Sequence, residues 1–147
     1  MIEYTVRVYD TGETYWYLDG KLHREDGPAI VYPSGTKHWY LDGKRHREDG
    51  PAIEYSNGDK YWYLNGKLHR EDGPAVEWAS GGKDWYLNGK CHREDGPAIE
   101  WSNGGKDWYL HGEELTEAEH KAATSKHTCE GKIVEIDGKK YQLKGVS

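Results

Sequence analysis

Four copies of His-Arg-Glu-Asp-Gly, beginning at His23, His46, His69 and His92, set an imidazole, a guanidinium and two carboxylates side by side four times. These groups are the usual tools of acid–base catalysis, metal binding and ion recognition. Their spacing narrows the choice. The copies recur every 23 residues with no insertion or deletion, so the chemistry is repeated along the chain and not gathered into the single centre that catalysis requires. A phosphoryl-transfer loop of the His-Arg-Asp kind also needs its downstream Asn and a Gly-rich phosphate loop, and neither is present. Equivalent histidines on successive hairpins would lie about 9.6 Å apart, two strand spacings, whereas zinc–nitrogen bonds are about 2.0–2.1 Å. No catalytic residue, metal ligand or cofactor is assigned, and the chain is expected not to be an enzyme. The histidines, His46 and His69 among them, read as structural rings that pack on neighbouring aromatics and hydrogen-bond the bend.

The elements that must position these bends follow from the period. A unit of 23 residues is too small to bury a core alone and must stack on its copies. Trp-Tyr-Leu recurs at Trp16, Trp39, Trp62, Trp85 and Trp108. Each full copy carries two strand candidates, Pro28–Tyr32 and Lys37–Leu41 in the first, joined by turn signals such as Ser56-Asn57-Gly58. A two-residue turn would set Glu77 against Asp84. A three-residue turn with Gly58 left-handed sets Glu54, Glu77 and Glu100 against Lys60, Lys83 and Lys106, and covers Gly82 and Gly105 with Trp78 and Trp101. Opposite charges across a ladder stabilise by roughly 0.2–1 kcal/mol per pair, so the three-residue turn is predicted. Gly27, Gly50, Gly73 and Gly96 end each bend before a proline, where a positive φ is expected.

The chain has 147 residues with 7 Trp, 12 Tyr, 19 Gly, no Phe and only 35% hydrophobic content. That is too aromatic and regular for disorder and too polar for a thick two-layer core. The predicted fold is mainly β: an elongated single-layer antiparallel sheet of stacked β-hairpin repeats, with a short helix and a terminal hairpin as cap. In one layer the Trp and Ile rows must cover each other, so Trp39, Trp62, Trp85, Gly50 and Gly73 are assigned structural roles. A formal charge of −6 opposes binding to nucleic-acid backbones or anionic membranes, which want clustered Lys and Arg. With no signal-like N-terminus and no apolar span of about 20 residues, a cytoplasmic protein with reduced Cys91 and Cys129 is expected.

Residues 1–112 are read as the repeat array, opened by a hairpin over 1–20, and 113–147 as the C-terminal cap. Thr116 with Glu119 makes a capping box, predicting a helix over 117–124. Lys132–Ile136, Asp137-Gly138 and Lys140–Leu143 read as a last hairpin. Terminal units differ from inner ones because an open edge strand invites aggregation.

The run Tyr-Leu-Asn-Gly-Lys-x-His, followed by Gly and then Tyr-x-Asn-Gly, resembles the MORN repeat, a hairpin unit of the same length. The likeness covers about residues 14–112. It is closer to the divergent MORN variants of small proteins from bacteriophages and large DNA viruses. Two features depart from the usual unit: Trp62-Tyr63-Leu64 before the Asn-Gly turn, and His69-Arg70-Glu71-Asp72-Gly73 in place of a short His-Gly. The resemblance implies an elongated antiparallel sheet used as an interaction scaffold.

The expected function is therefore binding of a partner protein through the sheet surface. The phage-like resemblance extends this to a viral accessory protein acting in the host cytoplasm on a host-defence factor. The assigned binding residues are Tyr40, Tyr63 and Tyr86, which alternate away from the Trp row, with Arg47 and Arg70 along the edge. The alternatives are a small-molecule or nucleotide-signal sponge, using arginines for phosphate, and an acidic nucleic-acid mimic. No direct nucleic-acid or membrane binding is expected, and a homodimer through an exposed aromatic face stays open.

Overall fold

Gly58 sets the register of its hairpin. It sits at φ +100° and donates its amide to the Tyr55 carbonyl at 3.0 Å, while the Tyr55 amide donates to Asp59 at 2.9 Å. Three residues thus close the turn, and Glu54 faces Lys60, Glu77 faces Lys83 and Glu100 faces Lys106, as predicted. The Trp78 and Trp101 rings lie over Gly82 and Gly105, where an added Cβ would stand 3.2 and 3.1 Å from the ring. The N-terminal hairpin, Thr5–Val8 with Thr14–Leu18, turns in the same way around Gly12, at φ +97°. It is a further copy of this tip hairpin.

The computed structural model describes residues 1–125 and 133–142. Each tip hairpin pairs antiparallel with the next, as in Val76 with Tyr61 and Lys83 with Glu100, giving a twelve-stranded antiparallel sheet. No helix among the described residues is long and apolar enough to cross a membrane.

Every copy also folds a second hairpin that the strand reading did not contain. Asn65 and Gly66 sit at φ 50° and 80°, a type I′ turn. They close a side hairpin in which Tyr63 faces Leu68 and Leu64 faces Lys67. Tyr40–Leu41 with Lys44–Arg45 and Tyr86–Leu87 with Lys90–Cys91 repeat it. The fifth side hairpin pairs Glu113–Leu115 with Trp108 to Leu110. One tryptophan joins the two ladders in each copy: the Trp62 amide donates to Ala75 at 2.7 Å, and its carbonyl accepts from His69 at 3.0 Å.

This placement sorts the side chains. Ala29, Ala52, Ala75 and Ala98 are fully buried and stand in register with the tryptophans, so large and small residues alternate along one face. Ile53 and Val76 point to the other face, opposite Tyr61. The Trp and Ile rows do not cover each other; pleating separates them because Ile53 is the neighbour of Ala52. On the Ile side, rings of Tyr15, Tyr32, His38, Tyr55, Tyr61 and Trp78 meet edge to face at 5.4–6.4 Å.

At the C-terminal end the capping box forms: the Thr116 amide donates to Glu119 at 2.8 Å and the Glu119 amide to Thr116 Oγ1 at 3.2 Å. It starts the helix Glu117–Ser125. A hairpin, Ile133–Ile136 with Lys139–Gln142, turns at Asp137-Gly138. Lys132 and Leu143, the outer ends predicted for it, lie outside the described residues, as does Cys129.

Candidate functional site

The bend is built around its arginine. Arg70 turns back along its own loop and donates from Nε to Asp72 at 3.0 Å, and from Nη1 to the Pro74 carbonyl at 3.1 Å and to Glu77 at 3.0 Å. Its Cζ stands 4.1 Å from the centre of the Trp62 ring. The opposite side of the guanidinium closes on Gly73, where a Cβ would come within 3.1 Å of Cζ. Arg47 repeats the arrangement with Asp49, Pro51, Glu54, Trp39 and Gly50, and Arg93 repeats it on Trp85. Gly27, Gly50, Gly73 and Gly96 are not in the left-handed region, contrary to expectation. They are glycine because the arginine occupies the space of a side chain.

Each histidine ties its copy to the next. The Asn65 amide donates to His46 Nδ1 at 3.0 Å and the Asn88 amide to His69 Nδ1 at 2.9 Å. Asp42 and His111 do the same to His23 and His92. The partner is thus the turn of the following copy, 19 residues on, and not the bend. The other ring nitrogen faces the bend glutamate, with His46 Nε2 3.6 Å from Glu48. An imidazole accepting at Nδ1 keeps its proton on Nε2, so a second proton would break the clamp.

Two histidines carry a directional consequence. Burial, reinforced by Arg45, holds His38 below the ordinary value of 6.5. Burial also lowers His92, with His111 and His120 acting in the same sense against Glu94. A histidine whose folded pKa is depressed favours the fold fully above the unfolded value and loses that contribution as pH falls through the folded one. Thermal stability should therefore hold level above pH 6.5 and fall below it. Melts from pH 7.5 to 5 check this, and His92→Asn, which retains an acceptor oxygen, should flatten part of the decline.

Between consecutive bends the face carrying the tryptophans opens into grooves. One is floored by Trp62, Leu64 and His69, walled by the loops of Arg47 and Arg70, and holds about 820 Å³. Its neighbours on either side, over Trp39 and Trp85, hold about 760 and 680 Å³. Glu48, Asp49, Glu71 and Asp72 stand at the rim with side chains more than four-fifths exposed. The arginines, by contrast, are committed within their loops, so the rim presents acidic charge.

The residues assigned to binding from sequence are not brought together. Arg47 and Arg70 belong to the groove face through Trp39 and Trp62. Tyr40 and Tyr63 lie half-buried on the other face beside Arg45, whose Cζ is 5.8 and 5.6 Å from their rings. Burial raises the Tyr63 and Tyr86 hydroxyls above their usual pKa. On that side burial with Asp84 and Asp107 pushes the Cys91 thiol up to about 12, which leaves it protonated and unreactive at neutral pH. Leu41, Leu64 and Leu87, the groove floor missed from sequence, carried a signal: a leucine closing each Trp-Tyr-Leu just before its Asp-Gly or Asn-Gly turn.

The last groove position is filled from within the chain. One period beyond Arg70 and Trp85 stand Arg93 and Trp108. His120 of the helix, 2% exposed, packs on Trp108 at 4.9 Å and donates from Nε2 to the Arg93 carbonyl at 2.6 Å. No protein-family model matches the chain, and no curated protein matches it.

Proposed function

We propose that this chain is a non-enzymatic repeat scaffold that binds a partner protein along its groove face. The observation that carries the reading is the series of equivalent open grooves over Trp39, Trp62 and Trp85, one per copy and in register. Binding spread over several equal sites suits an extended partner surface, and Trp and Arg are frequent at interface hot spots. A nucleotide ligand is less well served, since the arginines that would hold its phosphate already hold carboxylates and carbonyls. On the resemblance to viral MORN variants, the partner is a host-cell protein, and the defence role belongs to the same proposal.

The test places a photo-crosslinking residue at Leu64, in the groove, or at Tyr55, exposed on the opposite face, in cells expressing the chain. A protein partner crosslinked from Leu64 and not from Tyr55 is the expected result. Capture from Tyr55 alone moves the site to the tyrosine face. Absence of a crosslinked protein from both positions overturns the reading.

A further inference from the structure

We infer that the grooves receive the cationic side chains of a lysine- or arginine-rich segment of the partner, laid along the array with one basic residue per groove. This rests on the groove-face reading above and adds the chemistry of the occupant.

The inference starts from the balance of donors and acceptors. In the bends of Arg47, Arg70 and Arg93 the arginine turns Nε and Nη1 into its own loop, on the Asp, the Glu and the proline carbonyl. The carboxylates left at the rim are acceptors. Glu48 and Glu71 pair with no arginine; each stands 3.6 Å from its histidine and is largely exposed. The carbonyls of Arg24, Arg47 and Arg70 accept no hydrogen bond from a described residue. A groove with carboxylates, an open carbonyl and Leu64 in its floor complements an ammonium or guanidinium group, which is a donor throughout and packs its methylene stem on apolar surface.

The terminal groove position supports the same chemistry independently. Its carbonyl, that of Arg93, is the one that is used, and a ring N–H inserted from the helix uses it while the ring covers Trp108. The chain thus fills its own last position, where Thr116 stands in place of the copy's arginine, with a side chain that donates to the carbonyl. The positions over Trp39, Trp62 and Trp85 have the same carbonyl; their rings already carry Arg47, Arg70 and Arg93 at 3.8–4.1 Å, so the occupant is recognised by the carbonyl and the acidic rim. Successive grooves are two strands apart, about 9.6 Å, and one three-residue turn of polyproline II chain spans about 9.3 Å and returns the side chain to the same face. A basic residue at every third position of such a segment therefore meets every groove.

Fluorescence anisotropy of a labelled peptide with lysine at every third position, against the full chain, tests this. The same peptide with glutamine in place of lysine is the control, and unlabelled spermine is the competitor. The lysine peptide should bind and the glutamine peptide should not. The triple variant Glu48→Gln, Glu71→Gln, Glu94→Gln should weaken binding at least tenfold with its thermal melt unchanged, because these carboxylates are exposed and hold no arginine. Equal affinity of the triple variant, failure of the lysine peptide to bind, or displacement by spermine at the peptide's own concentration overturns the inference. A failed peptide alongside a Leu64 crosslink discards the cationic occupant and leaves the groove-face scaffold standing; absence of both discards the two together.

Discussion

Arg70→Ala should lower the unfolding free energy by about 3 kcal/mol, a fall in melting temperature on the order of 10 °C for a chain of this length. Three hydrogen bonds, two of them to carboxylates, and the stack on Trp62 vanish together. Hydrogen bonds to charged groups contribute about 1.5–3 kcal/mol and a cation over a ring about 0.5–2. The side chain is only 23% exposed, so solvent screens these terms less than it screens an open surface pair. Arg70→Lys should recover little, because an ammonium cannot fork between Asp72, Pro74 and Glu77 in one plane. The glycine gives a sharper check. Gly73→Ala pushes a methyl against the guanidinium and should cost about 1–2 kcal/mol in the native background, in the range of overpacking. In the Arg70→Ala background it should cost close to nothing. A double-mutant cycle by denaturant unfolding reads the coupling; equal costs of Gly73→Ala in both backgrounds would sink the account of why the bend ends in glycine.

Trp62→Ala should cost about 3–5 kcal/mol, whereas Trp101→Ala should cost less than about 0.5. The two rings differ in where the fold places them. Trp62 alternates with the fully buried alanines of the row, joins the tip and side ladders through its backbone, and floors the stack with Arg70. Trp101 stands at a hairpin tip, 55% exposed, held by one hydrogen bond from Nε1 to Asp107 at 2.7 Å. Chemical denaturation of both variants, followed by far-ultraviolet circular dichroism, checks the contrast. A Trp62→Ala chain as stable as the native one would mean that the tryptophan row serves the groove alone and holds no part of the sheet.

The two predictions differ in how far they were legible from residues alone. Trp62 as a structural ring was legible, because a period of 23 with a tryptophan at the same place in each copy leaves a stacked row as its natural home. The arginine was not. From spacing Arg70 reads as an edge charge and Gly73 as a left-handed bend; the structure curls the arginine back over its own loop and leaves Gly73 outside the left-handed region. A side chain with four torsions can reach outward or curl back, and sequence spacing does not say which.

What the sequence determined by itself is what neighbours a few positions apart decide. Turn length, the Glu–Lys register, the hairpin over the N-terminal residues and the Thr116–Glu119 capping box all rest on local backbone preference or on residues facing each other across one turn, so they are written in short stretches and repeat with the period. The tertiary structure alone decided which side chains share a face and which polar groups remain open. His46 accepts from Asn65 only because one copy is seated on the next, and the Arg93 carbonyl meets His120, 27 residues on, only because the helix folds back over the last tryptophan. Hydrogen-bond demand in a thin sheet is met between copies, across distances that no local pattern encodes. The acidic grooves are what is left when the arginines of the bends have turned into their own loops.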